Sequence, residues 1–418
     1  MKKSFTKIFL FAGIFFTAVS FAQTWTPVFT PGTPAGGSLI VNNGVSDISF
    51  YDDNNGIVSI GSGGYYRTTD GGSTWAALYN FNPYPTLDAA YIKDSQTILL
   101  CTNNGRVYKS INGGTTFSLI ATIVSDVNAM DFSGNNGALV DNNCQAAITA
   151  NLGDSWTAIS NTVLCGNLSA MKLVNFSSAN TIYIAGNNSN FFKSLNAGAT
   201  WTTVNTGTVS GNFKGLWFTD DNNGYVTIYG SSAVVLKTTN GGSTWTNITS
   251  AISPTLGVIG ANSGALYANG NVVYLCADGK ILRSNDGGAS FSIDLNYGSS
   301  CSSCEVKEFT PAGNSLFASI GSSGTHSKVY KRSNTISFLK EESISNNFSI
   351  YPNPAAGSIS LVLNGELLEI NVYDQLSRKV INVIGDKTTL DISSLNPGLY
   401  FIHVSTDKGS AVRKFIKQ

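Results

Sequence analysis

Apolar and polar residues alternate along most of this chain in short runs, broken by Gly, Asn, Asp and Ser. The stretch VSDISFYDDNNGIVSIGSGGYYRTTDGGSTW, which starts at Val45, is typical. It returns as FKGLWFTDDNNGYVTIYGSSAVVLKTTNGGSTW from Phe213. Period-two alternation between turn-forming clusters predicts strands, and each block holds four of them, labelled A to D, in an antiparallel meander. One meander cannot bury both of its faces. The blocks are therefore expected to pack side by side around an axis.

The end of each block repeats most closely. Residues 68–75 (TTDGGSTW) return as SINGGTTF from Ser110, TANLGDSW from Thr149, SLNAGATW from Ser194, TTNGGSTW from Thr238 and SNDGGASF from Ser284. The third position (Asp70, Asn112, Asn151, Asn196, Asn240, Asp286) is an acceptor for backbone N–H groups just ahead of it. The fifth (Gly72, Gly114, Gly153, Gly198, Gly242, Gly288) supplies the positive φ that closes a turn. The last (Trp75, Phe117, Trp156, Trp201, Trp245, Phe291) opens strand D with a large face to bury. Spacings of roughly 39 to 46 residues are those of propeller blades, and residues 23–339 have room for seven. The seventh turn is degenerate: VYKRSNTISF, from Val329, loses the glycine pair. WTPV at Trp25 resembles WTTV at Trp201, so the N-terminal segment is expected to provide strand D of the last blade and close the ring. Six blades with a loose C-terminal segment is the alternative.

The octapeptide resembles the Asp-box, or bacterial neuraminidase repeat, and the surrounding phrases are similar to the propellers of photosystem II assembly and stability factors. Sialidases, sortilin-type receptors and xyloglucan-cleaving hydrolases are more distant users of the box. The resemblance implies an all-β seven-bladed propeller with the boxes as structural staples. It also implies that any active site opens on the opposite face, where the B–C and D–A loops lie.

The two ends differ from the body. Lys2, Lys3 and Lys7 precede an apolar run of about 12 residues and then Ser20, Phe21 and Ala22, the pattern of a cleavable export signal over residues 1–22. No later segment reads as a transmembrane helix. After a linker at 340–347, residues 348–418 read as a small β-sandwich. This tail closely resembles the type A C-terminal sorting domain of type IX secretion cargo, through Tyr351, Pro352, Asn353, Pro354, Gly398, Tyr400, Lys414 and Lys417. Ser377 departs from that pattern, where the family usually has Gly. The resemblance implies recognition by the outer-membrane translocon and its sortase, cleavage within 343–347, and a secreted or surface-displayed product.

Acidic and basic residues cancel at 25 each and only 12% of the chain is charged, which argues against nucleic acid as a partner. Six cysteines in an exported chain suggest disulfides. Loop positions favour Cys144–Cys165, and Cys276 with Cys301 or Cys304, leaving Cys101 buried or unpaired. Candidate ligand-binding residues on the B–C/D–A face are Tyr84, Arg106, Lys214 and His326; for Tyr84, capping the space between blades is the preferred reading. Asp47, Asp88 and Asp126 precede strand A and are the candidate catalytic carboxylates of a two-aspartate glycosidase, although capping of the strand start is preferred for them. A sialidase needs three converging arginines. Here Arg67, Arg283 and Arg332 are read into a peripheral slot just before the box, which leaves only Arg106. No serine-histidine arrangement, metal site or cofactor is indicated. The residues favour a non-enzymatic module binding an extracellular glycan or protein, over an extracellular glycoside hydrolase or an assembly factor for an envelope complex.

Overall fold

A computed structural model describes residues 25–30, 45–60, 64–78, 87–123, 126–160, 164–165, 170–207, 209–252, 256, 265–277, 279–298, 305–321, 328–333, 348–363, 367–373, 379–384, 388–406 and 409–418. The predicted export signal, the linker and its cleavage region, Tyr84, His326, Cys301 and Cys304 lie outside them.

Seven four-stranded antiparallel sheets form the propeller. Their A strands are Val45–Phe50, Leu87–Ile92, Val127–Ser133, Met171–Phe176, Asn212–Phe218, Leu266–Asn269 and Glu305–Ala312, which number blades 1 to 7. In blade 7 the outer strand is Trp25–Phe29, paired with Lys328–Ser333, as the WTPV likeness predicted. The ring closes by stacking of Phe50 on Phe317 at 3.5 Å and by a hydrogen bond from Thr310 Oγ1 to Ile48 O.

The B strands are buried along nearly their whole length, as in Ile98–Thr102 and Ile182–Gly186, because blades cover both of their faces. Each core cluster accordingly lies between two neighbouring blades. The NNG turn before strand B has a steric reason: a Cβ on Gly56 would run into the Phe50 ring, and one on Gly224 into Phe218.

The six boxes fold alike. In blade 5, Thr238 Oγ1 accepts the Gly242 N–H (2.9 Å), Asn240 Oδ1 accepts the Thr244 N–H (2.9 Å), and Gly242 has φ +84°. The N–H of the residue before the second glycine reaches the A–B turn of its own blade, as Gly241 N to Asn222 O (2.8 Å), which puts boxes and A–B turns on one face. In blades 1, 2, 4 and 5 a cation one residue before the box bridges to the next blade. Arg67 donates to Gly113 O (2.5 Å), Lys109 to Leu152 O (2.9 Å), Lys193 to Gly241 O (3.2 Å) and Lys237 to Gly287 O (2.8 Å).

Blade 7 corrects the sequence reading by one residue. Lys331, not Arg332, takes this bridging slot: it pairs across from Phe317, as Lys193 does from Tyr183, and donates to Asp53 O (2.7 Å). Arg332 stands where the box hydroxyl stands in sister blades. Its guanidinium is buried and forms an ion pair with Asp294 of blade 6 (2.7 Å), whose carboxylate also accepts the Trp25 indole N–H (2.6 Å). This triad holds strand D in the one blade whose turn lost its glycines.

The tail forms a three-stranded and a four-stranded sheet around a shared core that includes Ile370, Ile402 and Phe415. Asn353 ties its two ends together, accepting the Ile416 N–H (2.9 Å) and donating to Lys414 O (3.1 Å).

Candidate functional site

The antiparallel pairing of strands A and B slips by one residue at the same place in six blades. The extra residues are Ser46, Asp88, Asn128, Lys172, Lys214 and Lys307. In blade 6 the equivalent stretch lies outside the described residues. A β-bulge breaks the alternation of sides and re-aims one side chain. Here all six line one cavity of about 200 Å³ in the central channel, together with Asp47, Glu308, Trp217 and Phe309. These positions sit near the start of strand A, at the end of the ring away from the boxes.

Charge is not spread evenly around this ring. Blades 1 to 3 contribute Ser46, Asp88 and Asn128, whereas blades 4, 5 and 7 contribute Lys172, Lys214 and Lys307. Lys172 is already held: its ammonium donates to Asn128 Oδ1 (2.8 Å) and Asn142 Oδ1 (2.6 Å). Half-burial, together with the neighbouring Lys214 ammonium, draws its pKa below the usual lysine value, and the charges of Asp126 and Asp88 oppose that shift. Lys214 makes no ion pair among the described residues. One Asp88 oxygen, Oδ2, is buried with no hydrogen-bond partner among the described residues. Burial, and then the charge of Asp126, push the Asp88 carboxyl up to about 7.

Three other carboxyls near the axis are occupied. Asp47 accepts the N–H groups of Ile48 (2.8 Å) and, across to blade 2, of Ala90 (2.6 Å). It also hydrogen-bonds Glu308 of blade 7; burial and the adjacent Asp47 hold Glu308 well above the usual carboxylate range. Asp131 accepts Phe132 N and, in blade 4, Phe176 N, both at 2.8 Å. The next blade does the same with an amide, as Asn175 accepts Phe218 N (2.8 Å). These groups stitch A strands to one another.

The candidates from sequence divide accordingly. Asp47, Asp88 and Lys214 line the cavity. Asp47 and Asp88 lie inside strand A and not before it; only Asp126 precedes its strand, and it accepts the Asn142 side-chain amide. Arg106 is exposed at the start of its C strand and does not line the cavity. The Cys144–Cys165 disulfide is formed, with Cα atoms 6.1 Å apart. It fastens the B–C turn of blade 3 to the D–A loop that leads to Lys172. Cys101 and Cys276 are both buried and unbridged, so the bond expected from Cys276 to Cys301 or Cys304 is not formed; Cys276 Sγ lies instead 2.9 Å from Tyr297 Oη. Among the described residues no group of three or more His, Cys, Asp or Glu is placed to hold a metal ion. Sequence reasoning missed Ser46, Asn128, Lys172 and Lys307. The available signal was a polar residue one or two places into each A strand, at the same point in every block.

The tail decides the export route. Residues 349–418 match the secretion system C-terminal sorting domain. The protein is thus cargo of the type IX system, delivered to the cell surface or the extracellular space. No helix among the described residues is long and apolar enough to cross a membrane. No curated protein matches the chain. Solved structures resemble the propeller ahead of the sorting domain. YCF48 bound to D1 peptide shares 18% identity at a TM-score of 0.55, covering 73% of this chain and 100% of that one. YCF48 from Cyanidioschyzon merolae shares 17% at 0.53, covering 74% and 98%. A GH74 xyloglucanase from Xanthomonas campestris shares 16% at 0.55, covering 82% of this chain and 60% of that enzyme. At these identities the likeness is one of fold.

Proposed function

We propose that the propeller ahead of the sorting domain is a non-enzymatic binding module that takes an extracellular glycan or protein ligand at the channel end lined by the bulges. The observation that carries this reading is the set of six bulges whose polar side chains converge on one cavity, opposite the structural boxes. Bulges concentrate where a fold re-aims side chains for function. That YCF48 is seen with D1 peptide and that the Xanthomonas campestris GH74 enzyme is a xyloglucanase is compatible with a ligand at such a fold.

A hydrolase is the second reading, and Asp88 favours it: a carboxyl titrating near 7 in a cavity suits a general acid. A two-carboxylate mechanism also needs a base or nucleophile facing it. Asp47 is engaged by two backbone N–H groups and Asp126 by Asn142, which speaks for binding over hydrolysis. The test is a glycan array with the secreted protein, run beside hydrolysis assays on the retained glycans. Retention without cleavage is expected. Cleavage that disappears in Asp88→Asn would replace this reading with the enzymatic one.

A further inference from the structure

Resting on that reading, we infer that the cavity binds a single sugar unit carrying a carboxylate, such as a uronic acid within an extracellular polysaccharide. Lys214 would pair with the acid group, and Asp88 would accept ring hydroxyls from the opposite side.

Size comes first. A cavity of about 200 Å³ is smaller than the pockets that hold drug-sized ligands, roughly 300 Å³ and upward, so it accommodates one ring and not an oligomer. The second argument is polarity across the axis. Lysines from blades 4, 5 and 7 face the Ser46 hydroxyl and Asp88 carboxylate of blades 1 and 2, the Asn128 amide of blade 3 being taken up by Asn142, Met171 and Lys172, so a guest with one anionic end and one hydroxyl-rich end satisfies both sides. Lys172 is fastened to Asn128 and Asn142, whereas Lys214 has no anionic partner among the described residues. Asp47 and Glu308 also line the cavity but are occupied: they hydrogen-bond each other across blades 7 and 1, and Asp47 accepts the N–H groups of Ile48 and, in blade 2, of Ala90. Buried Asp88 Oδ2 is an acceptor without a donor, a cost that a sugar hydroxyl removes. Finally, half-buried Trp217, edge-on to Tyr267 at 4.9 Å, forms an apolar wall between blades 5 and 6 of the kind a sugar ring packs against.

A neutral sugar fits the same wall and the same acceptor. It leaves Lys214 solvated and unused. The difference between acidic and neutral rings is therefore the quantity to measure.

Calorimetric titration of the secreted protein with methyl glucuronide and with methyl glucoside, at low and high salt, provides the test. The glucuronide is expected to bind about ten-fold tighter or more, as one charge-assisted hydrogen bond gives. That advantage should shrink with salt and vanish in Lys214→Gln, while weak glucoside binding persists. Asp88→Asn should weaken both sugars. Equal affinities, or an acid preference that survives Lys214→Gln, would overturn the inference and leave the binding module standing. Binding of either sugar that is indifferent to both substitutions, or no binding of either, would remove this inference; the glycan array decides the module separately. A urea unfolding midpoint matching the parent shows that each variant is folded.

Discussion

The rim and the axis of this ring treat repetition in opposite ways. At the rim, six blades build the same turn from nearly the same eight residues, down to one hydroxyl accepting one glycine N–H. At the axis, six blades share the same bulge, yet the side chains are serine, aspartate, asparagine and three lysines. Where one geometry admits only one set of residues, the fold demands them. Where one geometry carries four kinds of side chain, the fold demands only the backbone, and the side chain is open to another use. Blade 7 separates the two: it lost the box and kept the bulge, and the Arg332–Asp294–Trp25 triad took over the mechanical task.

The largest expected effect lies in that triad. Arg332→Met leaves Asp294, among the described residues, with only the Trp25 indole and should cost about 3–5 kcal/mol of stability. Urea unfolding of the full chain checks it; a loss no greater than that of a box variant would mean that the triad does not replace the box. A single box should matter less. Thr238→Val keeps the shape but strands the buried Gly242 N–H, for an expected loss of about 1–3 kcal/mol with sugar binding unchanged.

Asp131 tests the stitching by pH. Burial is the main cause raising its carboxyl to about 6 from an unfolded value of 3.8, so the folded state holds that proton more tightly. Its contribution is therefore fully present below pH 3.8 and is lost as pH rises through about 6. Asp131→Asn should be less stable than the parent at pH 4 and lose less between pH 4 and 7, measured as unfolding midpoints at the two values. Parallel curves would show that Asp131 titrates as an ordinary carboxylate. The smallest effect belongs to the axis: Lys214→Gln should change stability by no more than about 0.5 kcal/mol, since it breaks no ion pair within the described residues. A large loss there would make the bulge side chains structural, and the contrast with the rim would fall.

Much of the fold is legible in the chain because each blade solves the same local problem. The box recurs, the WTPV likeness points to the closing strand, and Cys144 and Cys165 occupy adjacent loops that can be paired on paper. The site is less legible. In MKLVNF, Lys172 reads as one more outward-facing polar residue, because alternation assigns sides by counting and a bulge alters the count. The same limit misplaced Arg332: two adjacent cations, Lys331 and Arg332, fit one slot, and only strand register distinguishes them. Asp47 and Asp88 look equivalent as aspartates near strand A, yet one is stitched between blades and the other is a bulge residue.

The sequence alone determined the strands, the turns, the repeat and the export tail, since hydrogen-bonding side chains, glycine torsions and alternation act within a few residues of one another. Tertiary structure alone decided which polar groups meet at the axis, and that three lysines face a serine, an aspartate and an asparagine. Those residues come from six blades spread across the chain, and only closing the ring brings their bulges to one cavity.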